Sequence, residues 1–141
     1  MKICICCSLS FTNEVLTLAK KLEKQGFELL LPNSVIERSI EKPDFDPVQS
    51  KIRTGNVNKH IDKVKASDAV LVCNYTKNGT ENYIGANTFL EIAAAHYFEK
   101  PIYALNSLPD QPYINDEIRS FDIKVLNGDL GKIQKEEEQC Q

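Results

Sequence analysis

Short continuous apolar runs and longer periodic ones alternate along this chain. Lys2 to Cys7 is an apolar run that turns polar at Ser8, which reads as a short buried strand. Phe11 to Lys24 carries Val15, Leu18, Ala19 and Leu22 at helical spacing, and Gly26 closes it; this is an amphipathic helix with a stop signal. Phe27 to Leu31 is a second strand, ended by Pro32. Asn56 to Ala66 is a second helix with Val57, Ile61 and Val64 toward the core, and Asp68 to Asn74 a third strand. Thr88 to Phe98 forms a third helix and Pro101 to Leu105 a fourth strand, followed by a short helix over Tyr113 to Phe121 and a fifth strand over Ile123 to Leu126.

Two stretches break the alternation. Residues 33 to 55 lose their period, because Glu41-Lys42-Pro43-Asp44-Phe45-Asp46-Pro47 interrupts any helical turn over Ser34 to Ile40. So long an irregular segment is either a lid, a binding loop or an excursion of no special role. From Gly131 the sequence becomes the polar run Lys132-Ile133-Gln134-Lys135-Glu136-Glu137-Glu138, a solvated helix or a frayed end. The expected organisation is one α/β domain over residues 1–130 and a polar tail over 131–141.

Strands separated by helices require crossover connections and hence a parallel sheet covered on both faces. Five short strands predict a flavodoxin-like, Rossmann-like three-layer sandwich with sheet order 2-1-3-4-5. The switch point then lies between strands one and three. A ligand there meets the loop after strand one, with Ser8, Leu9 and Ser10, and the loop after strand three, from Asn74 to Thr88. Asp68 begins strand three at the opposite edge, which makes it a poor catalytic candidate despite its charge.

Composition narrows the classes. A chain of 141 residues supports a single core. A net charge of −3 and a pI near 5.4 give no basic footprint for nucleic acid or an anionic membrane. No apolar run approaches the roughly 18 residues that span a bilayer, and the opening run is too short for a signal peptide. The expectation is a cytoplasmic protein. Of the five cysteines, Cys4, Cys6, Cys7 and Cys73 lie in predicted strands and read there as small hydrophobes. Cys4 and Cys6 share one strand face and Cys7 points to the other. No second Cys/His pair completes a ligand set in the sequence, so the expectation is no metal and no cofactor.

Glu91 is the least comfortable residue in the pattern. It stands in the apolar helical run Phe89-Leu90-Glu91-Ile92-Ala93-Ala94-Ala95, where a charge is costly to bury. One account is a capping box, Thr88 at the cap and Glu91 at the third helical position bonding back to it. If Asn87 caps instead, Glu91 needs another partner. His60 has polar neighbours and reads by default as solvent-facing, His96 as packed in the core. Tyr75, Lys77, Asn78, Asn82 and Tyr83 make a polar-aromatic loop suited either to a base and a phosphate or to plain surface. The P-loop and Gly-x-Gly-x-x-Gly fingerprints are absent. The helix starts beside Ser8 and Ser10, and beside Asn87 and Thr88, offer free backbone N–H groups to an anion, or are simply capped there.

From Asp68 to Leu105 the chain resembles the nucleoside 2-deoxyribosyltransferase superfamily. The likeness rests on the strand Ala69 to Asn74, on Asn87-Thr88-Phe89-Leu90-Glu91 leading into an apolar helix, and on Lys100-Pro101-Ile102-Tyr103 opening the next strand. The opening strand to Ser8 and Leu31-Pro32 look similar too. The cytokinin-riboside-monophosphate hydrolases have a related layout, of whose glycine-rich signature Gly85 is present here.

The resemblance implies N-glycosidic transferase or hydrolase chemistry on a (deoxy)nucleoside or nucleoside 5′-monophosphate, with Glu91 as nucleophile and His60 as acid/base group. Asn87 and Thr88 would line the sugar and Ser8 with Lys77 would hold a phosphate. Ser10, Asn74, Tyr83 and Gly85 would border the substrate. Asn87 stands where the family usually has glycine. The mechanism requires no metal, and the resemblance implies a homodimer or larger homo-oligomer, with the third helix, Tyr97 and Phe98 as its interface. The competing readings are a nucleotide-binding or sensing module using the same cleft, and a structural domain in which Glu91 only caps.

Overall fold

A computed structural model describes residues 1–32 and 56–133. The irregular segment 33–55 and the end of the tail from residue 134 lie outside the described residues.

The elements run β1 (Lys2–Cys7), a 3₁₀ turn (Leu9–Phe11), α1 (Thr12–Lys24), β2 (Glu28–Leu30), α2 (Asn56–Ala66), β3 (Ala69–Cys73), α3 (Ala86–Tyr97), β4 (Ile102–Ala104), α4 (Asn115–Ser120) and β5 (Ile123–Val125). Among the described residues the sheet has five strands in the order β2-β1-β3-β4-β5. Every adjacent pair is parallel. This is the predicted order, with the switch point between β1 and β3.

Side-chain alternation along β1 divides the core. Ile3 and Ile5 face one side, with Val15, Leu18 and Leu22 of α1 and with Leu71 and Tyr103. Cys4 and Cys6 face the other, with Val64 of α2, Ile92 and Ala95 of α3 and Ile118 of α4. The sheet is therefore the middle of three layers. β3 is buried at every position, as a central parallel strand covered on both faces must be. Ile133, inside the stretch read as a polar tail, is fully buried in the α1-side core, so the chain is still docked at that point.

Helix ends follow local chemistry. α1 stops in a Schellman turn: the Phe27 N–H donates to Leu22 C=O at 3.2 Å and the Gly26 N–H to Glu23 C=O at 3.0 Å. Gly26 takes the left-handed conformation this requires, with φ of 95°. α3 begins earlier than its sequence suggests. Gly85 occupies the cap position with extended backbone and no side-chain cap, and the Phe89 N–H donates to its carbonyl at 2.9 Å. Neither Asn87 nor Thr88 is the cap, so the capping-box account of Glu91 is overturned: Glu91 lies beyond the first turn.

Candidate functional site

Three elements converge on Glu91. On α3 the inward positions are Thr88, Ile92 and Ala95, and Glu91 lies on the edge of that stripe, its side chain 14% exposed. On α2 the inward positions are His60 and Val64, one turn apart. Val57, expected inward, is 37% exposed instead. His60 is thus turned into the protein, 5% exposed, against its default reading as a solvent-facing residue. Polar neighbours in sequence misled there, because they occupy the outer faces of the same helix. His96, expected in the core, is exposed and stacks on Phe121 at 4.8 Å between ring centroids.

The pleat of β1 sets Cys4 and Cys6 on the face that α2 and α3 cover. His60 Nε2 lies 3.7 Å from Cys4 Sγ and 3.6 Å from Cys6 Sγ. The same nitrogen lies 3.4 Å from Glu91 Oε2. Glu91 Oε2 and His60 Nδ1 are nevertheless buried without a hydrogen-bond partner among the described residues. One carboxylate, one imidazole and two thiols thus meet where α2 and α3 pack on β1. Sequence reasoning identified Glu91 and His60 but set Cys4 and Cys6 aside as strand hydrophobes. Their shared face was legible; the third donor was not, because only the packing of α2 on the sheet brings His60 to them.

The electrostatics follow from this crowding. Burial opposes charge on His60, but the Cys4 sulfur and the Glu91 carboxylate outweigh it and push the imidazole up to about 10. Cys4 goes the other way: the Cys6 thiol, hydrogen-bonded to it, lowers it to about 6 against the opposing effect of burial, and His60 adds to the lowering. Burial pushes the Cys6 thiol well up and Cys7 up to about 12. The arrangement therefore favours the protonated form of His60.

The loops that were expected to border a ligand do meet. Phe11, just after β1, packs edge-on against Tyr75, just after β3, with centroids 5.2 Å apart. Ser8 Oγ accepts from the Ser10 N–H at 3.4 Å and so caps the 3₁₀ turn; Ser10 is exposed. Lys77 Nζ sits over the Tyr83 ring, 5.0 Å from its centroid. Gly85 lies under that ring, where an added Cβ would meet Tyr83 at 3.4 Å. Thr88 is buried and Asn87 half-buried.

Asn74 is differently employed. It is fully buried, and its amide nitrogen donates to Asn106 C=O and Ser107 C=O, each at 3.0 Å. Its side-chain oxygen accepts from the Asn106 N–H at 2.9 Å. Its side-chain polar atoms are thus engaged in tying the end of β3 to the loop after β4. A cleft of about 340 Å³ lies between the loops after β3 and β4, lined by residues including Thr80, Asn82, Leu108 and Asp110. Of the polar-aromatic loop only Asn82 lines it, and Glu91 and His60 do not.

No family model matches the chain, and no curated protein matches it. Among solved structures, its fold is similar to that of the 2-deoxyribosyltransferase from the psychrotolerant bacterium Bacillus psychrosaccharolyticus. The TM-score is 0.51, with 18% identity over 74% of this chain and 72% of that one. At that identity the likeness establishes a shared fold. Among the described residues no helix is long and apolar enough to cross a membrane.

Proposed function

We propose that the chain acts on the N-glycosidic bond of a (deoxy)nucleoside or nucleoside 5′-monophosphate, by transfer or hydrolysis, with Glu91 as nucleophile. The observation that carries this reading is the Glu91–His60 pair, 3.4 Å apart, set in an apolar wedge beside the switch point of the sheet. An acid group kept there at a desolvation cost is the usual mark of a functional site. The shared fold with a 2-deoxyribosyltransferase, described as a biocatalyst for nucleoside synthesis, points to the same substrate class.

In the first step a Glu91 carboxylate oxygen forms a bond to C1′ as the C1′–N bond breaks, and the electron pair leaves with the base. His60, which carries a proton at neutral pH, gives it to the departing nitrogen. In the second step an acceptor base or water attacks C1′, the glycosyl ester breaks, and the acceptor's proton returns to His60. Two displacements give net retention. Asn87 and Thr88, one turn before Glu91, orient the sugar, and Ser8 with Lys77 hold a phosphate where one is present. No metal takes part in these steps.

The test is base release from ribo- and deoxyribonucleosides and their 5′-monophosphates, with and without an acceptor base. Wild type should release base, and Glu91→Ala should lose it while remaining folded by circular dichroism. Replacing His60 by Gln should slow release by about 10²- to 10⁴-fold, the range of a lost general acid. Dependence on the acceptor separates transferase from hydrolase. Ligand binding without release from any substrate would sink the catalytic reading in favour of a nucleotide-binding module.

A further inference from the structure

The geometry points to a second property of the same pocket: we propose that Cys4, Cys6 and His60 bind a thiophilic divalent cation of the zinc class, with Glu91 Oε2 as fourth ligand. This goes beyond the glycosidic reading and does not depend on it. The ligand atoms of Cys4, Cys6 and His60 all lie within 4.8 Å of one another and all three residues are buried.

Three of the six separations in this set, all from His60 Nε2, are those of a coordination tetrahedron. Zinc binds sulfur at about 2.3 Å, imidazole nitrogen at about 2.0–2.1 Å and carboxylate oxygen at about 2.0–2.2 Å. A tetrahedron built on those bonds has S···N edges of about 3.5–3.6 Å and an N···O edge of about 3.3–3.4 Å. The corresponding distances here are 3.7 and 3.6 Å from His60 Nε2 to the two sulfurs, and 3.4 Å from it to Glu91 Oε2. Cys4, Cys6 and His60 thus form the three-residue face on which an ion would sit, and Glu91, outside that tight cluster, turns toward it to complete the set.

Hydrogen bonding does not account for the same convergence. Nε2 has one in-plane direction, holding either a proton or a lone pair. It cannot serve Cys4, Cys6 and Glu91 together, and Glu91 Oε2 is left buried without a hydrogen bond. A cation in their midst satisfies all four groups at once, displacing to solvent the imidazole proton of His60 and whatever protons the two cysteines still carry, so that Nε2 and both sulfurs ligate as lone-pair donors. A disulfide is the poorer alternative, since Cα atoms two residues apart on a strand are separated by about 6.6 Å, the far end of the disulfide range. The cation reaches the site past Glu91, the partly exposed member. Once bound, it holds the carboxylate that the glycosidic reading needs free, so occupancy silences turnover.

The experiment is titration of the full chain, stripped with a chelator and kept reduced by a phosphine, with Co²⁺ as the spectroscopic probe. Expected are one cobalt per chain, tetrahedral d–d absorption and a thiolate-to-cobalt charge-transfer band, all bleached by Zn²⁺. Cys4→Ser and Cys6→Ser should each weaken binding by at least about 100-fold and diminish the charge-transfer band. Glu91→Gln should keep that band, alter the d–d envelope and lose about tenfold in affinity.

Where a cysteine variant does not fold, alkylation of wild type in mild urea decides the matter: Cys4 and Cys6, buried in the native chain, should label as it opens, and Zn²⁺ should protect them in proportion to occupancy. No cobalt uptake by the folded, reduced chain, uptake without charge transfer, or no protection would each overturn the site. These readouts need no turnover, so failure of the glycosidic reading leaves them intact. Base release that persists undiminished in the zinc-loaded chain would overturn the ligation of Glu91.

Discussion

A carboxylate in an apolar helix and a histidine in a polar one met in space here, and only the first looked unusual in sequence. Glu91 was legible because charge is expensive among Phe89, Ile92 and the following alanines. The partner was hidden because side chains at neighbouring positions point to different faces, so the polar residues around His60 say little about its own environment. In the metal-free chain, truncating one member of a buried pair strands the other, which typically costs 3–5 kcal/mol; replacing both with apolar groups is often neutral or stabilising. Glu91 retains some solvent contact, so His60→Ala should cost about 3 kcal/mol, the low end of that range. The double variant His60→Leu with Glu91→Leu should return to within about 1 kcal/mol of wild type. Urea denaturation in the presence of a chelator measures both. If the single variant lost under half a kilocalorie, the pair would be solvated and its pre-organisation illusory. If the double variant regains stability and loses base release, the pair is kept for chemistry at the expense of the fold.

At the scale of elements, hydrophobic periodicity carried most of the information. Strand order followed from alternation of strands and helices, because parallel strands leave few routes for the chain. The ends were less legible. α3 starts at Ala86 behind an uncapped Gly85, since tertiary packing of Ile84 and Thr88 fixes the entry where a side-chain cap was expected. Asn74 is the clearest case of an element-level role that looks like a site residue. Three hydrogen bonds with Asn106 and one to Ser107 C=O tie the end of β3 to the end of β4. Gln111 performs the same service for the loop before α3, accepting from Ile84 N–H at 2.8 Å and donating to Ile84 C=O at 2.9 Å. Removing the Asn74 amide would leave part-buried backbone groups of Asn106 and Ser107 without it, so Asn74→Ala should destabilise by about 1–2 kcal/mol. Asn74→Asp should do no better, because its carboxylate oxygen would face the carbonyls of Asn106 and Ser107. Thermal melts of both variants test this. A melting temperature unchanged in Asn74→Ala would return the residue to the ligand-facing set.

For the molecule as a whole, the site and the outer surface of α3 are two sides of one helix. Thr88, Glu91, Ile92 and Ala95 turn toward the sheet, whereas Leu90 is 51% exposed and Tyr97 82% exposed. Ala86, Leu90, Ala93 and Tyr97 recur at the spacing of a single helical stripe. Phe98, which the sequence reading grouped with Tyr97, instead packs partly buried against the α3-side core. A self-association surface thus narrows to Leu90 and Tyr97 with small residues between them, a composition that lets two helices approach closely. The expectation is a homodimer or larger assembly seen by light scattering coupled to size exclusion. Leu90→Glu and Tyr97→Glu should each shift it toward monomer. Both side chains are more than half exposed in the single chain, so neither change should cost the isolated fold more than about 0.5 kcal/mol. Because Glu91 is anchored on the same helix, loss of assembly should loosen its placement and lower base release along with the molar mass. A wild-type chain that runs as a monomer at every concentration would remove this surface from consideration. Variants that dissociate without any change in turnover would show that each protomer carries a complete site.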